Sequence, residues 1–551
     1  MTRPTRLATL PLGLLLFGSP LFAQDPPKPA DVKPAEAPPS PKVDPIEIPE
    51  VVKGITAREL GGHMKFLASD LMRGRDTASP EIRLAAEYLA SRLSAAAAEP
   101  SGDFDQGRKT YFQRFPLEVV TSLQEGTSLS LEILDDNSRR VVPLQVGTDV
   151  SFFPGSIIPG EVEAEVVFAS YGRVNEAEKI NDYEGLNVKN KFVLVLSGQP
   201  PAKPKEGETP PEGAQSKARP PARRGMGGDF TKLGVASKLG AAGVFVIQPP
   251  SDNSSPALAS APAAGRPLPG FGRPSMTLGS APTALPLFNL ADSIRDLILK
   301  STGLDVNAPG PYAPINVRAK FAFASKKEVK EDRNVVGFFP GTDPEKKKEV
   351  VIFSAHYDHV GVDEKGEIYN GSDDNASGTS ALLEIAEAFG DGPRPARSVA
   401  FLWVSGEEKG LLGSQWFSDH VSLPAGSKII ADINIDMVSR NDGKSIGLTP
   451  STSHPSHSTL ATVAEESAKA EGLEIKYDAD QYFGRTDSAN FARKGIPVVF
   501  FFSGIHADYH KSTDDVEKAD FEKAARVARA AYRLGWQTAQ APDLPKKTKA
   551  D

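Results

Sequence analysis

EVVIFSAHY at 349–357, TSALLEIAEAF at 379–389 and SVAFLWVSG at 398–406 decide how this chain folds. The outer two are short apolar runs rich in Val, Ile and Phe, as buried strands are. The middle one places apolar residues at helical spacing. The alternation continues with GLLGSQWFSDH (410–420, helical), KIIADINIDMV (428–438, strand) and HSTLATVAEESAKAEG (457–472, helical). PVVFFFSG (497–504) reads as a further strand, and a last helix is expected over 520–540. Strands alternating with helices specify an α/β fold, a mostly parallel mixed sheet covered by helices on both faces.

Such sheets bind ligands outside the carboxyl ends of their strands. His356 and Asp358 follow the first strand, Glu407 and Glu408 the second, Asp436 ends the third, and His506 and His510 follow the fourth. Asp373 and Asp374 precede the helix that begins near Ser377. Each feature alone is more often structural. Together they bring many carboxylates to one edge, where like charges repel unless cations are present. Two divalent cations resolve the conflict. Imidazole and carboxylate donors without thiolate fit zinc, whereas calcium prefers an all-oxygen shell. Asp358, two residues beyond His356, points the same way and can accept its second ring N–H. Glu407 and Glu408 point apart, so one can bind metal while the other faces water as a base; spacing does not say which.

Outward from this core, the 551 residues suggest two to four domains. The net charge of −8 gives no basic footprint for nucleic acid and no polybasic membrane patch. The chain has no cysteine, which excludes disulfides, thiol nucleophiles and N-terminal lipid attachment through cysteine. Arg3 and Arg6 followed by an apolar run from Leu7 to Ala23 read as a cleaved export signal over 1–23, so a periplasmic or secreted protein is expected. Residues 24–49 form a Pro-rich linker, and no later segment is long and apolar enough for a stable membrane span. Helices are expected at 56–69 and 81–97, then short β runs from 110 to 172. Within 126–318, KFVLVLSG and VFVIQ read as strands around a helical KLGVASKLGAAG, with Pro-rich loops at 200–228 and 249–285.

RNVVGFFPGTD, SAHYDHVG, NGSDDNASGTSALLEIAEAF, VSGEEKGLLGS, NIDMV and FFFSGIHADYHKSTDD together resemble the MH-clan zinc exopeptidases, which include leucyl-type aminopeptidases and glutamate carboxypeptidase-like enzymes. FLASDLMRGRDTASPEIRLAAEYLASRL and TYFQRFPL resemble the opening segment of that family. The resemblance implies two Zn2+ ions held by His356, Asp374, Glu408, Asp436 and His510, with Asp374 bridging. It implies Glu407 as general base, Asp358 as the carboxylate behind His356, and a cis bond at Asp374–Asn375. It also implies an aminopeptidase acting on peptides with a free N-terminus.

The peptidase domain then divides into 50–125 and 319–541, with a disordered tail at 542–551. The insert at 126–318 resembles a protease-associated domain through DYEGLNVKNKFVLVLSG, KLGAAGVFVIQ and LPLFNLADSIRDLI. Two departures stand out. Ser488 occupies a position that is usually His, and Tyr482, Phe483 and Gly484 leave no assigned oxyanion donor. His454 and His457 read as surface histidines. Alternatives on the same scaffold are a carboxypeptidase or dipeptidase, for which Arg440 and Arg485 are possible anchors, and a non-catalytic receptor-like binding protein. A single-zinc glutaminyl cyclase is disfavoured by the intact His356 and Asp436. The sequence does not give the oligomeric state.

Overall fold

The computed structural model describes residues 46–135, 138–152, 160–175, 179–200, 226–250, 274–279, 285–308 and 314–548. The expected signal, most of the linker and much of the two Pro-rich loops lie outside them. No helix among the described residues is long and apolar enough to cross a membrane.

The decisive run folds as read. Strands Glu349–His356, Ser398–Val404, Lys428–Ile435 and Val498–Phe502 lie parallel, with Glu349–His356 between Ser398–Val404 and Lys428–Ile435. Ser445–Thr449 extends the sheet antiparallel to Val498–Phe502. Side chains alternate between faces, as a period of two requires. Val351, Phe353, Phe401 and Trp403 enter one core; Val350, Ile352, Leu402 and Val404 enter the opposite one. The first core is roofed by helices Ala57–Leu67, Pro80–Ala95, Gly378–Asp391, Thr459–Ala470 and Phe521–Gln540. Helix starts follow capping chemistry: Thr56, Ser79 and Asp520 each accept a backbone N–H three residues on.

A second group of strands, Glu161–Phe168, Phe192–Leu196, Gly243–Ile247 and Leu287–Leu290, is also parallel. Its cores are separate: Phe192, Leu194 and Phe245 face one side, and Val193, Val195 and Val244 the other. The long strand Pro314–Phe339 joins the two groups, because it pairs with Glu161–Phe168 near one end and Ser398–Val404 near the other. It also runs antiparallel to Phe112–Asp135 along most of its length. The boundaries expected at 125/126 and 318/319 therefore fall inside strands, not in connecting loops. The charged run 325–334, which separates the residues of one core from those of the other, reads as a connection but continues the strand.

The tail differs from expectation as far as Thr548. Its N–H donates to the His457 carbonyl at 3.1 Å, and its Oγ1 lies 2.7 Å from His457 Nδ1. The Lys546 N–H donates to Thr459 Oγ1 at 3.0 Å. His457, read as a surface residue, is buried under this contact. Polar tail residues carried no apolar pattern to announce it.

Gly535 of the last helix sits directly over Phe353, and a methyl group there would come within 2.0 Å of the Phe353 ring. That ring is held by stacking on Phe401, with centroids 5.2 Å apart. Alanine gains about 1 kcal/mol of helix propensity over glycine, while overpacking costs about 1–3 kcal/mol. Gly535→Ala is expected to lower stability in urea unfolding; an increase would show that the contact is loose.

Candidate metal centre

The strand ends deliver the expected groups to one place. His356 closes its strand, Asp436 follows Ile435, and Asp374 lies in the turn before Gly378–Asp391. His356 Nε2 lies 3.2 Å from Asp436 Oδ1 and 3.4 Å from Asp374 Oδ1. The other oxygen of Asp374, Oδ2, lies 3.1 Å from His510 Nε2, which is 3.0 Å from Glu408 Oε2. One carboxylate thus presents an oxygen to each of two imidazoles. The peptide bond from Asp374 to Asn375 is cis, as expected. Asn375 fastens the turn: its Nδ2 donates to the Ile435 carbonyl at 3.1 Å, and its Oδ1 accepts from Gly378 N and Met437 N.

Glu407 and Glu408 diverge. Glu408 faces His510, while Glu407 lines an open pocket of about 360 Å³ together with Asp374 and Asp436. Met437, Tyr482, Arg485, Phe500, Phe502, Ile505 and Tyr509 form its walls.

Asp358 departs from expectation. Its carboxylate is 3.7 Å from His356 Nδ1, whereas its backbone carbonyl is 3.1 Å away and is the nearer acceptor. The carboxylate instead accepts from Thr77 Oγ1 at 2.9 Å and from the Glu407 N–H at 3.2 Å. It therefore fixes the backbone that carries Glu407. Asp373 and His506 form a neighbouring pair: Asp373 Oδ1 accepts from Ser439 N and Oγ, and Oδ2 is 3.3 Å from His506 Nε2.

Two residues escaped the sequence reading. His359 is fully buried, and its Nδ1 lies 2.9 Å from Glu408 Oε1, so the second His of HYDH supports the carboxylate that faces His510. Its ring fits because residue 371 is glycine at φ 56°; a Cβ there would lie 2.5 Å from the imidazole. A second imidazole three residues from the first was the available signal. Arg75, also buried, donates to the carbonyls of Leu67, Tyr357, Asn370 and Gly371, tying the His356 segment to the Asp374 turn. Burial lowers its pKa to about 10, against the raising influence of Asp358, Asp374 and Asp514. Nothing in RGRD marked it as internal.

The electrostatics match a cation site. Burial pushes the Glu407 carboxyl well above the ordinary range, and Glu408, Asp487 and Asp436 push further. Burial likewise raises Asp436 to about 6. His510 is raised to about 10, since its contacts with Asp374 and Glu408 outweigh burial. His356 is also raised, with Asp436 and Glu407 outweighing burial. The donor atoms of His356, Asp374 and Asp436, and those of His359, Asp374 and Glu408, each lie within 4.8 Å of one another. His510 Nε2 is buried 3 Å from two oxygens yet completes no hydrogen bond. Such a converging set of nitrogen and oxygen donors fits zinc.

Two outcomes follow. Metal loading at pH 7 is expected to release protons, because cations must displace those held on His356 and His510. Affinity is expected to fall as pH drops toward 6, where Asp436 also gains a proton. Calorimetry in buffers of different ionisation enthalpy measures the release; none would contradict the ligand set. Arg75→Met removes a donor from four buried carbonyls, of which only Gly371 keeps a second partner, the Ala376 N–H, and is expected to cost at least about 3 kcal/mol in denaturant unfolding.

Comparison with known proteins follows the same lines. The chain is 29% identical over 210 residues to a probable leucine aminopeptidase of Trichophyton verrucosum, covering 35% of this chain and 57% of that protein. It is 32% identical over 189 residues to leupeptin-inactivating enzyme 1 of Streptomyces exfoliatus, covering 34% of this chain and 38% of that protein. The chain thus spans between 38% and 57% of the length of these relatives. In three dimensions it is similar to an aminopeptidase from Aneurinibacillus sp. strain AM-1, with a TM-score of 0.53 and 19% identity over 91% of this chain and 98% of that one, a likeness of fold. Residues 334–534, which carry every expected metal ligand and the glutamate pair, match the pattern of peptidase family M28.

Proposed function

We propose that this chain is a zinc-dependent aminopeptidase that removes N-terminal residues from peptides. The observation that carries the reading is Asp374, whose two oxygens each face a different imidazole. In this reading His356 and Asp436 would hold one zinc and Glu408 and His510 the other, with Asp374 offering one oxygen toward each group. The two ions supply Lewis acidity, polarising the scissile carbonyl and acidifying water.

The remaining steps belong to the protein. Glu407, whose burial raises its proton affinity, accepts a proton from the attacking water and returns it to the departing amine. Asp358 keeps Glu407 in place through the backbone N–H. The carboxylates around the site favour a substrate α-ammonium group, and the apolar walls take its side chain. Residues 126–318, with cores of their own, are read as a protease-associated domain beside the peptidase domain, and residues 1–23 as a signal for export to the periplasm or beyond.

The test pairs metal counting with hydrolysis. Elemental analysis is expected to find about two zinc ions per chain, and amino-acyl anilides are expected to be cleaved only when the amine is free. Two zinc ions without cleavage would favour a carboxypeptidase or dipeptidase, because an anilide offers no free C-terminal carboxylate; neither metal nor cleavage would favour a receptor-like role. Glu407→Gln is expected to retain metal and lose activity by about 10²–10⁴-fold. Near-normal kcat in that variant would remove Glu407 from the role of base.

A further inference from the structure

The pocket has two electrical poles. Its floor is acidic, with Asp374, Glu407 and Asp436. Its wall carries Arg485, at the end of the short turn Asp480–Arg485. The guanidinium lies 5.6 Å from the Tyr482 ring centroid, within cation–π range. That ring stands edge-on to Phe502 at 5.1 Å, and Phe502 stacks on Phe500 at 5.2 Å, so the arginine rests on an ordered aromatic wall. It is exposed, and among the described residues no carboxylate forms an ion pair with it. Arg440 contrasts with it: Asp508 at 2.6 Å and Asp514 at 3.4 Å already engage that guanidinium, so it has no charge to offer a substrate.

An unpaired guanidinium in a pocket lined by phenyl rings is a recognition element for a planar anion, which it can bind through two parallel N–H donors. We propose that Arg485 is a specificity-determining residue that recognises a carboxylate on the substrate, so that preferred peptides carry a negative charge near their N-terminus. The proposal rests on the aminopeptidase reading above and extends it to a substrate class. The α-ammonium group faces the acidic floor while the carboxylate meets Arg485. A peptide can supply that carboxylate from an acidic first side chain or from the free C-terminus of a di- or tripeptide.

The experiment uses the full zinc-loaded protein and two matched substrate pairs. Glutamyl and glutaminyl anilide differ only in side-chain charge; leucyl-leucine and leucyl-leucinamide differ only in C-terminal charge. In kcat/KM the charged member of one pair is expected to be preferred by about tenfold to a hundredfold, the range of a charge-assisted hydrogen bond. The pair that responds identifies the source. Arg485→Gln is expected to bring that ratio to about one, carried mainly in KM, and Arg485→Lys to keep part of it. Equal rates within both pairs in the wild type, or an unchanged ratio in Arg485→Gln, overturns the proposal. Bound zinc and thermal melting show whether each variant is folded, and Arg485→Lys decides alone if the glutamine variant is not. If none of the four substrates is cleaved, the aminopeptidase reading fails separately. Calorimetric binding of leucyl-leucine against its amide, and of glutamyl against glutaminyl anilide, then decides for Arg485, and equal or absent binding within both pairs overturns it.

Discussion

Carboxylates crowded at one sheet edge are the constraint on which the rest of this structure turns. Asp358, Asp373, Asp374 and Asp487 are all but inaccessible to water, and Glu407, Glu408 and Asp436 adjoin them. Charges so placed cost far more than the sheet gains by holding them, unless each is answered. The protein answers them in layers. Imidazoles of His356, His359 and His510 stand against the innermost carboxylates. Backbone N–H groups serve the next: Asp514 accepts from residues 373 and 374, and Asp358 from residue 407. Arg75 and Arg440 close the set from behind. What these partners leave unbalanced lies between the imidazoles, where divalent cations fit.

The same constraint explains which parts were legible beforehand. The parallel strands were plain, because continuous β-branched and aromatic runs can only be buried on both faces. The principal acidic and imidazole groups were plain as well, since strand ends converge on one edge once the alternation is recognised. Arg75 was not legible: its role depends on four carbonyls distant in sequence, and an arginine in a polar turn looks like surface. His359 and the true contacts of Asp358 depend on side-chain direction past the end of a strand, where the two-residue period no longer holds. The limits of the inserted segment were hidden for a different reason. Pro314–Phe339 serves two cores without a break in pairing: the charged run 325–334 that separates them looks like a loop in sequence yet stays within the strand.

The pocket shows how such a scaffold separates chemistry from selectivity. The acidic floor comes from strand ends and one helix entry, fixed by buried hydrogen bonds. Much of the wall comes from the Asp480–Arg485 turn and the segment after Val498–Phe502, which contribute Tyr482, Arg485, Ile505 and Tyr509. Tyr509 is tied to the charged floor by stacking on His510, with ring centroids 3.8 Å apart.

The long strand also bears on how the chain reaches its native state. Phe112 pairs with Val335, so all of residues 113–334 must be made before that ladder can close. Helices Ala57–Leu67 and Pro80–Ala95 share a core with Phe521–Gln540, and the opening of the chain therefore waits for its end. Contacts so remote in sequence slow folding.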